Sequence, residues 1–75
     1  MMERNVEIGA TYKHFKGKTV EVLMIGKDSE DLKDLVIYKH DNEIWVRPMD
    51  EFLSEVDHDK YPEIKQKYRF EKINL

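Results

Sequence analysis

Residues 35–48 read LVIYKHDNEIWVRP, in which two short apolar runs stand on either side of a polar turn. Both runs are rich in the β-branched and aromatic residues that favour strands. The turn falls at His40-Asp41-Asn42, and Asp and Asn are residues that tight turns prefer. Pro48 closes the second run because proline has no N–H to donate to a strand ladder. The stretch therefore predicts two consecutive strands joined by a turn.

The sequence on the N-terminal side predicts two more strands. Residues 11–15 and 19–25 suit strands, and the break between them contains Gly17, which can adopt a positive φ. In residues 19–25 the apolar run is broken only by Glu21, so we expect this strand to be central and nearly buried on both faces. The charged stretch 27–34 reads as a loop.

The C-terminal third predicts one helical turn and a last strand. Residues 49–56 follow Pro48 with apolar positions at helical spacing, and side chains alternate in residues 67–73. Five short strands with one helical turn after the fourth indicate a mainly β chain. A small, strongly bent barrel is expected, since closure removes exposed strand edges. We expect one domain over residues 1–75, with residues 1–8 frayed or lying on its surface.

Composition excludes several classes of protein. The chain has 75 residues and no cysteine, which excludes disulfides and a thiol nucleophile. No apolar run approaches the roughly 20 residues of a spanning helix, so we expect no membrane contact and a soluble, cytoplasmic protein. The net charge of −3 disfavours nucleic acid as a partner. A local basic patch occurs at Lys13, His14, Lys16 and Lys18, where a solvated turn is the ordinary interpretation.

Two blocks of sequence resemble a known family. They are His14-Phe15-Lys16-Gly17 and Trp45-Val46-Arg47-Pro48, followed later by Arg69-Phe70-Glu71. In this order they resemble the bacterial family called domain of unknown function 1653, over residues 9–73. The family is similar to an SH3-type β-barrel, so the resemblance implies a five-stranded SH3-like roll here. It implies no activity, substrate or cofactor. The chain departs from the family in a shorter connection over 38–45 and a longer one over 56–69.

The sequence predicts no catalytic residue, no metal site and no cofactor. Ser29 and Ser54 lie in charged surroundings without the glycines of a nucleophile elbow. The three histidines have no spacing that places two of them on one face of a strand or helix. The acidic turn at 57–59 lacks the glycine and distal glutamate of a calcium loop.

The remaining candidate is a binding surface of aromatic and cationic side chains. Trp45 and Arg47 share one strand face, and Tyr12 and His14 share another. Aromatic residues and arginine are over-represented in binding hot spots. The candidate site residues are Tyr12, His14, Tyr38, Trp45 and Arg47.

Structural roles compete with the binding role at three of these positions. A single tryptophan in so small a barrel is more often core than surface. Arg47 could form an ion pair with Glu21 or Glu71, and His14 could cap the turn at Gly17.

Three hypotheses for function follow, and the shape of the site separates them. The first is a non-catalytic module that binds a peptide or protein partner, which a flat groove beside Trp45 would favour. The second is a sensor of a small anionic or nucleotide-type ligand, which a concave pocket converging on His14 and Arg47 would favour. The third is a hydrolase or its accessory, which needs a buried carboxylate facing His14. The oligomeric state is left open.

Overall fold

The computed structural model describes residues 5–73, which form a 5-stranded antiparallel sheet and one short helix. The strand order is β4-β3-β2-β1-β5. This architecture confirms the prediction of a mainly β chain with one helical turn after the fourth strand. The order is compatible with an SH3-like roll. The elements are β1 (Thr11–His14), β2 (Thr19–Lys27), β3 (Asp34–His40), β4 (Glu43–Pro48), α1 (Met49–Phe52) and β5 (Phe70–Lys72).

Both predicted turns connect neighbouring strands of the sheet. Between β1 and β2, Gly17 has φ 101° and donates its N–H to the carbonyl of His14 at 2.8 Å. Between β3 and β4, Asp41 and Asn42 have φ of 54° and 66°. Positive φ at both central residues is the type I′ geometry that matches the twist of paired strands.

The prediction that β2 is buried on both faces is wrong. Val20 and Val22 are buried, whereas Glu21 is exposed and Met24 is 53% exposed. The pairing register with β3 shifts between Val22 and Met24, which leaves Leu23 as the extra residue of a β-bulge. The bulge turns Met24 to the outer face, so one face of β2 is buried and the other carries Met24.

The core fills the concave side of the bent sheet, and its centre is a pair of stacked phenylalanines. Phe52 from α1 and Phe70 from β5 have ring centroids 4.1 Å apart and planes inclined by 3°. Burial of Phe52 holds α1 in place, because one helical turn is not stable alone. The other buried members of the core cluster are Tyr12, Val20, Val22, Val36 and Tyr38.

The segment between α1 and β5 lies against the end of β1. Val56 donates its N–H to the carbonyl of Lys67 at 2.8 Å, and the amide of Gln66 donates to the carbonyl of Lys13 at 2.9 Å. The predicted last strand over 67–73 is shorter than expected, since β5 covers only Phe70–Lys72. Tyr68 instead forms an isolated bridge with Glu55.

The N-terminal segment was predicted to fray or lie on the surface. Residues 1–4 lie outside the described residues. Val6 packs against the core, while Ile8 is 64% exposed. The N–H of Glu7 donates to the Tyr12 hydroxyl at 2.9 Å, and the Glu7 carboxylate pairs with Lys72 of β5. No helix within residues 5–73 has the length and apolar character to cross a membrane.

Candidate functional site: a cationic pocket with aromatic walls

A concave pocket of about 510 Å³ lies where the ends of several strands meet. The two hairpins bring the end of β1 beside the start of β2, and the end of β3 beside the start of β4. Side chains on the concave face at these ends line the pocket together with the segment that precedes β5. Its floor is part of the core and consists of Val20, Tyr38, Val56 and Phe70.

Trp45 lies at the rim of this pocket and not in the core. Tyr38 is its cross-strand partner, so both side chains face the concave side. Tyr38 is 5% exposed, whereas Trp45, on the edge strand, is 47% exposed. The interpretation of Trp45 as a core residue is therefore wrong, because its strand has a neighbour on one side only.

Arg47 projects over the core from the same strand face. Its guanidinium carbon lies 5.7 Å from the ring centroid of Phe70, and its Nε donates to the Tyr38 hydroxyl at 3.4 Å. Its ion-pair partner is Glu51, with Nη1 and Oε1 separated by 3.6 Å. The alternative that Arg47 pairs with Glu21 or Glu71 is wrong. Glu21 lies on the opposite face of the sheet, and the Glu71 carboxylate accepts the N–H of Tyr68.

A second arginine, Arg69, lines the pocket from the residue before β5. Its Nε donates to the Ser54 hydroxyl at 3.2 Å, and its backbone carbonyl accepts the N–H of Phe15 at 3.0 Å. The Ser54 hydroxyl in turn donates to the carbonyl of Glu51 at 2.6 Å. These bonds orient the guanidinium without a carboxylate partner of its own among residues 5–73.

His14 lies among these cations as a neutral ring. Burial, followed by the positive charges of Arg69, Arg47, Lys16 and Lys18, lowers the pKa of His14 from 6.5 to about 4. Its Nδ1 accepts the N–H of Lys16 at 3.1 Å, so the proton of the neutral ring resides on Nε2. This bond gives His14 the expected role in the turn. It also leaves Nε2–H as a donor on a pocket residue.

The lowered pKa of His14 predicts a pH-dependent stability. Between pH 6.5 and about 4 the unfolded chain binds a proton at His14 that the folded chain does not, so the free energy of unfolding falls as the pH is lowered through this interval. Urea titrations at several pH values measure the slope. We expect His14→Gln to have a shallower slope than the unchanged protein. An unchanged slope in His14→Gln would contradict the prediction.

Phe15 and Tyr61 add two further aromatic rings to the pocket lining. The ring centroids of Phe15 and Tyr61 are 5.1 Å apart. The ammonium of Lys16 lies 5.4 Å from the Tyr61 centroid, and that of Lys60 lies 5.5 Å from the same ring. These distances are within the range of cation–π attraction, so the lysines are held near the rings at the pocket mouth.

The lining is strongly positive although the chain as a whole is acidic. Its cationic side chains are Arg47, Arg69, Lys16, Lys18 and Lys60. Asp57 is the acidic residue of the described lining, and its Oδ1 accepts the N–H groups of Asp59 and Lys60 at 3.1 and 3.2 Å. A concave surface lined by one sign of charge focuses its field and attracts ions of the opposite sign.

Most of the predicted site residues come together here. His14, Tyr38, Trp45 and Arg47 line the pocket. Tyr12 does not, because it is 2% exposed in the core and its ring packs edge-on against Phe52. Tyr12 and His14 do share a strand face, but β1 ends at His14, so the pocket opens only beside the second of them.

Sequence reasoning missed several lining residues. Arg69 could have been found, because it belongs to one of the blocks that carry the family resemblance. Phe15 belongs to another of these blocks, whereas nothing in the local sequence pointed to Lys60 or Tyr61 as lining residues. Among residues 5–73, no three histidine, cysteine or acidic side chains are grouped as a metal site would require.

Comparison with known proteins places the chain in a family. Neither the curated proteins nor the solved structures contain a match to it. A family model described as "Protein of unknown function (DUF1653)" matches residues 10–72. That interval includes every strand of the sheet and every residue of the pocket lining. The chain therefore belongs to the family of proteins of unknown function DUF1653.

Proposed function

We propose that this protein is a non-catalytic binding protein whose pocket takes a small organic anion, a planar ring that carries a phosphate group. The observation that carries the proposal is the convergence of Arg47, Arg69 and lysine side chains on a cavity walled by aromatic rings. Arginine suits phosphate because its planar fork can donate two parallel hydrogen bonds. The ring and the phosphate of the ligand thus each have a matching part of the pocket.

The two arginines are preorganised for an anion. In each, Nε donates to a neutral hydroxyl, that of Tyr38 for Arg47 and that of Ser54 for Arg69. The bond at Nε orients the guanidinium. Because its acceptor is a neutral hydroxyl, this bond does not neutralise the positive charge. The terminal nitrogens remain as donors, although Nη1 of Arg47 shares its environment with the exposed carboxylate of Glu51. Nε2–H of the neutral His14 ring adds a further donor.

The aromatic walls favour a ring as the other part of the ligand. Trp45 and the Phe15–Tyr61 pair all belong to the pocket lining. Stacking of a base or similar ring on an aromatic side chain contributes about 1–3 kcal/mol. The volume of about 510 Å³ lies within the roughly 300–1,000 Å³ of small-molecule sites.

The shape of the site favours this ligand over a peptide partner. The pocket is concave and converges on His14 and Arg47, which is the arrangement expected for a small anion. A hydrolase gains no support: the acidic residue of the described lining, Asp57, is exposed, and no carboxylate of residues 5–73 is buried facing His14.

Phenyl phosphate is the minimal probe for this proposal. Two-dimensional amide NMR spectra recorded during its titration should show saturable shifts at His14, Trp45, Arg47 and Arg69. Inorganic phosphate and phenol, the two halves of the probe, should bind more weakly than the whole, because each engages only one part of the pocket. Rising salt should weaken the phosphate contribution.

Two results would contradict the proposal. One is equal binding of phenol and phenyl phosphate, which would remove the role of the cations. The other is shifts confined to residues outside the pocket, such as Met24 and Lys39 on the opposite face of the sheet. If phenyl phosphate produces no shifts and a proline-rich peptide produces shifts at Trp45, the peptide-binding hypothesis replaces this one.

A further inference from the structure

The strand β4 exposes apolar side chains at an open edge of the sheet. It pairs with β3 on one side and is the last strand of the described sheet on the other. On its convex face Ile44 is 58% exposed and Val46 is 56% exposed. Proteins usually protect such edges with charge, proline or a covering segment, since an apolar edge is a template for pairing with another chain. Here Pro48 protects only the last position of the strand.

The hydrogen-bonding groups that β4 presents at its open edge follow from the turn. His40 and Glu43 flank a two-residue loop and pair with each other, so their backbone groups bond inward. The backbone groups of every second residue of β4 bond to β3 in the same way, so those of Trp45 and Arg47 also point inward. The N–H and C=O groups of Ile44 and Val46 therefore point outward at the open edge.

We propose that a second copy of this chain pairs antiparallel with β4, with the two-fold axis passing between the two Trp45 residues. In this register Ile44 lies opposite Val46 of the partner subunit on the convex face. On the concave face Glu43 lies opposite Arg47 of the partner subunit. The strand is thus complementary to itself in both apolar character and charge.

The backbone favours the same register. The outward N–H and C=O groups of Ile44 bond to those of Val46 of the partner subunit, and the reverse pair forms by symmetry. The two Trp45 residues then form a non-hydrogen-bonded pair, in which the Cα atoms are closer. A register centred on Val46 would place Ile44 opposite Pro48 of the partner subunit, which has no N–H. A slip by one residue would bring the convex face of one copy against the concave face of the other.

This pairing sets two ligand pockets side by side. Trp45 lines the pocket of its own copy and lies at the two-fold axis, so the partner's Trp45 stands next to it at the pocket rim. Because both copies use the same surface patch, the assembly stops at a dimer and does not grow into a longer oligomer. The backbone pairs themselves do not involve the pocket, because the residues that make them, Ile44 and Val46, are not part of its lining.

Sedimentation at concentrations from about 10 μM to about 1 mM, a range chosen for interfaces of this modest size, tests the pairing. We expect the weight-average mass to rise from 9.1 kDa toward twice that value. Val46→Lys should weaken association at least tenfold. Met24→Lys is the matched control, since Met24 lies on the same convex face with 53% exposure but on β2 in the sheet interior. It should leave association unchanged.

Charge reversal tests the register itself. Glu43→Lys and Arg47→Glu should each be monomeric alone, because each places like charges opposite one another. A mixture of the two variants should associate as a heterodimer in which both charge pairs are restored. Circular dichroism establishes that each variant is folded. A monomer at every concentration would overturn the proposal, as would equal loss of association in Met24→Lys and Val46→Lys, growth beyond two chains, or failure of the mixture to associate.

Discussion

Replacing Phe52 with alanine should lower the free energy of unfolding by about 3–5 kcal/mol, the range for truncation of a fully buried phenylalanine. Phe52 is 0% exposed, stacks on Phe70 at 4.1 Å, and packs against Tyr12 with ring centroids 5.3 Å apart. It is also the buried residue of α1, so its loss would release the helical turn from the sheet. In a domain of this size that loss is a large part of total stability. Urea denaturation monitored by circular dichroism measures it.

Phe52→Leu is the control for this prediction. Leucine retains most of the buried apolar volume and loses the ring contact, so we expect a cost well below that of alanine. If the alanine variant lost no more than about 1 kcal/mol, the ring stack could not be the centre of the core.

Replacing Arg69 with glutamine should weaken phenyl phosphate binding about 10- to 100-fold, because a hydrogen bond to a charged group contributes about 1.5–3 kcal/mol. Arg69 is the better position for this test than Arg47, since it lies outside β4 and takes no part in the proposed pairing of two copies. Trp45 is the single tryptophan of the chain and lines the pocket, so its fluorescence can follow the titration.

The same variant has a second readout in the unliganded protein. The Arg69 charge is one cause of the low pKa of His14, so Arg69→Gln should raise that pKa, and an NMR titration of the imidazole measures it. Arg69→Lys keeps the charge and loses the planar fork, and should bind with intermediate affinity. Lys39→Gln removes a positive charge from the convex face and should change neither quantity. Unchanged binding in Arg69→Gln together with a raised His14 pKa would show that the pocket is cationic but is not the phosphate site.

The core and the pocket share residues, which couples ligand binding to stability. Tyr38 and Phe70 form the pocket floor and are also core residues, and Phe70 stacks directly on Phe52. A ligand that binds only the folded chain raises its apparent stability in proportion to the logarithm of the ligand concentration above Kd. The thermal midpoint in excess phenyl phosphate should therefore rise, and it should rise less in Arg69→Gln.

The local sequence was sufficient to predict the first four strands and the two turns that join them in pairs. The alternation in residues 35–48, the turn residues Asp41 and Asn42, and Gly17 all act over a few residues, where backbone preferences and side-chain direction depend on sequence alone. The same short-range logic placed Trp45 and Arg47 on one strand face. Tyr38 joined them because β3 and β4 are neighbours in both sequence and space.

Other features depended on the tertiary structure, because they come from residues distant in sequence. The bulge at Leu23 turned the Met24 side chain outward. The shift is visible only in the pairing of β2 with β3, because the apolar run of β2 alone does not show where a bulge falls. Tyr12 and His14 are two residues apart and lie on the same strand face, yet only His14, at the end of β1, lines the pocket. Arg69 reached the pocket through the pairing of β5 with β1, which joins the two ends of the described chain. The sequence by itself thus determined where β1 to β4 form and, apart from β2, which residues share a face. The bending of the sheet decided which of these residues meet in the core and the pocket. A local sequence pattern does not show this, because such contacts join segments that are distant in sequence.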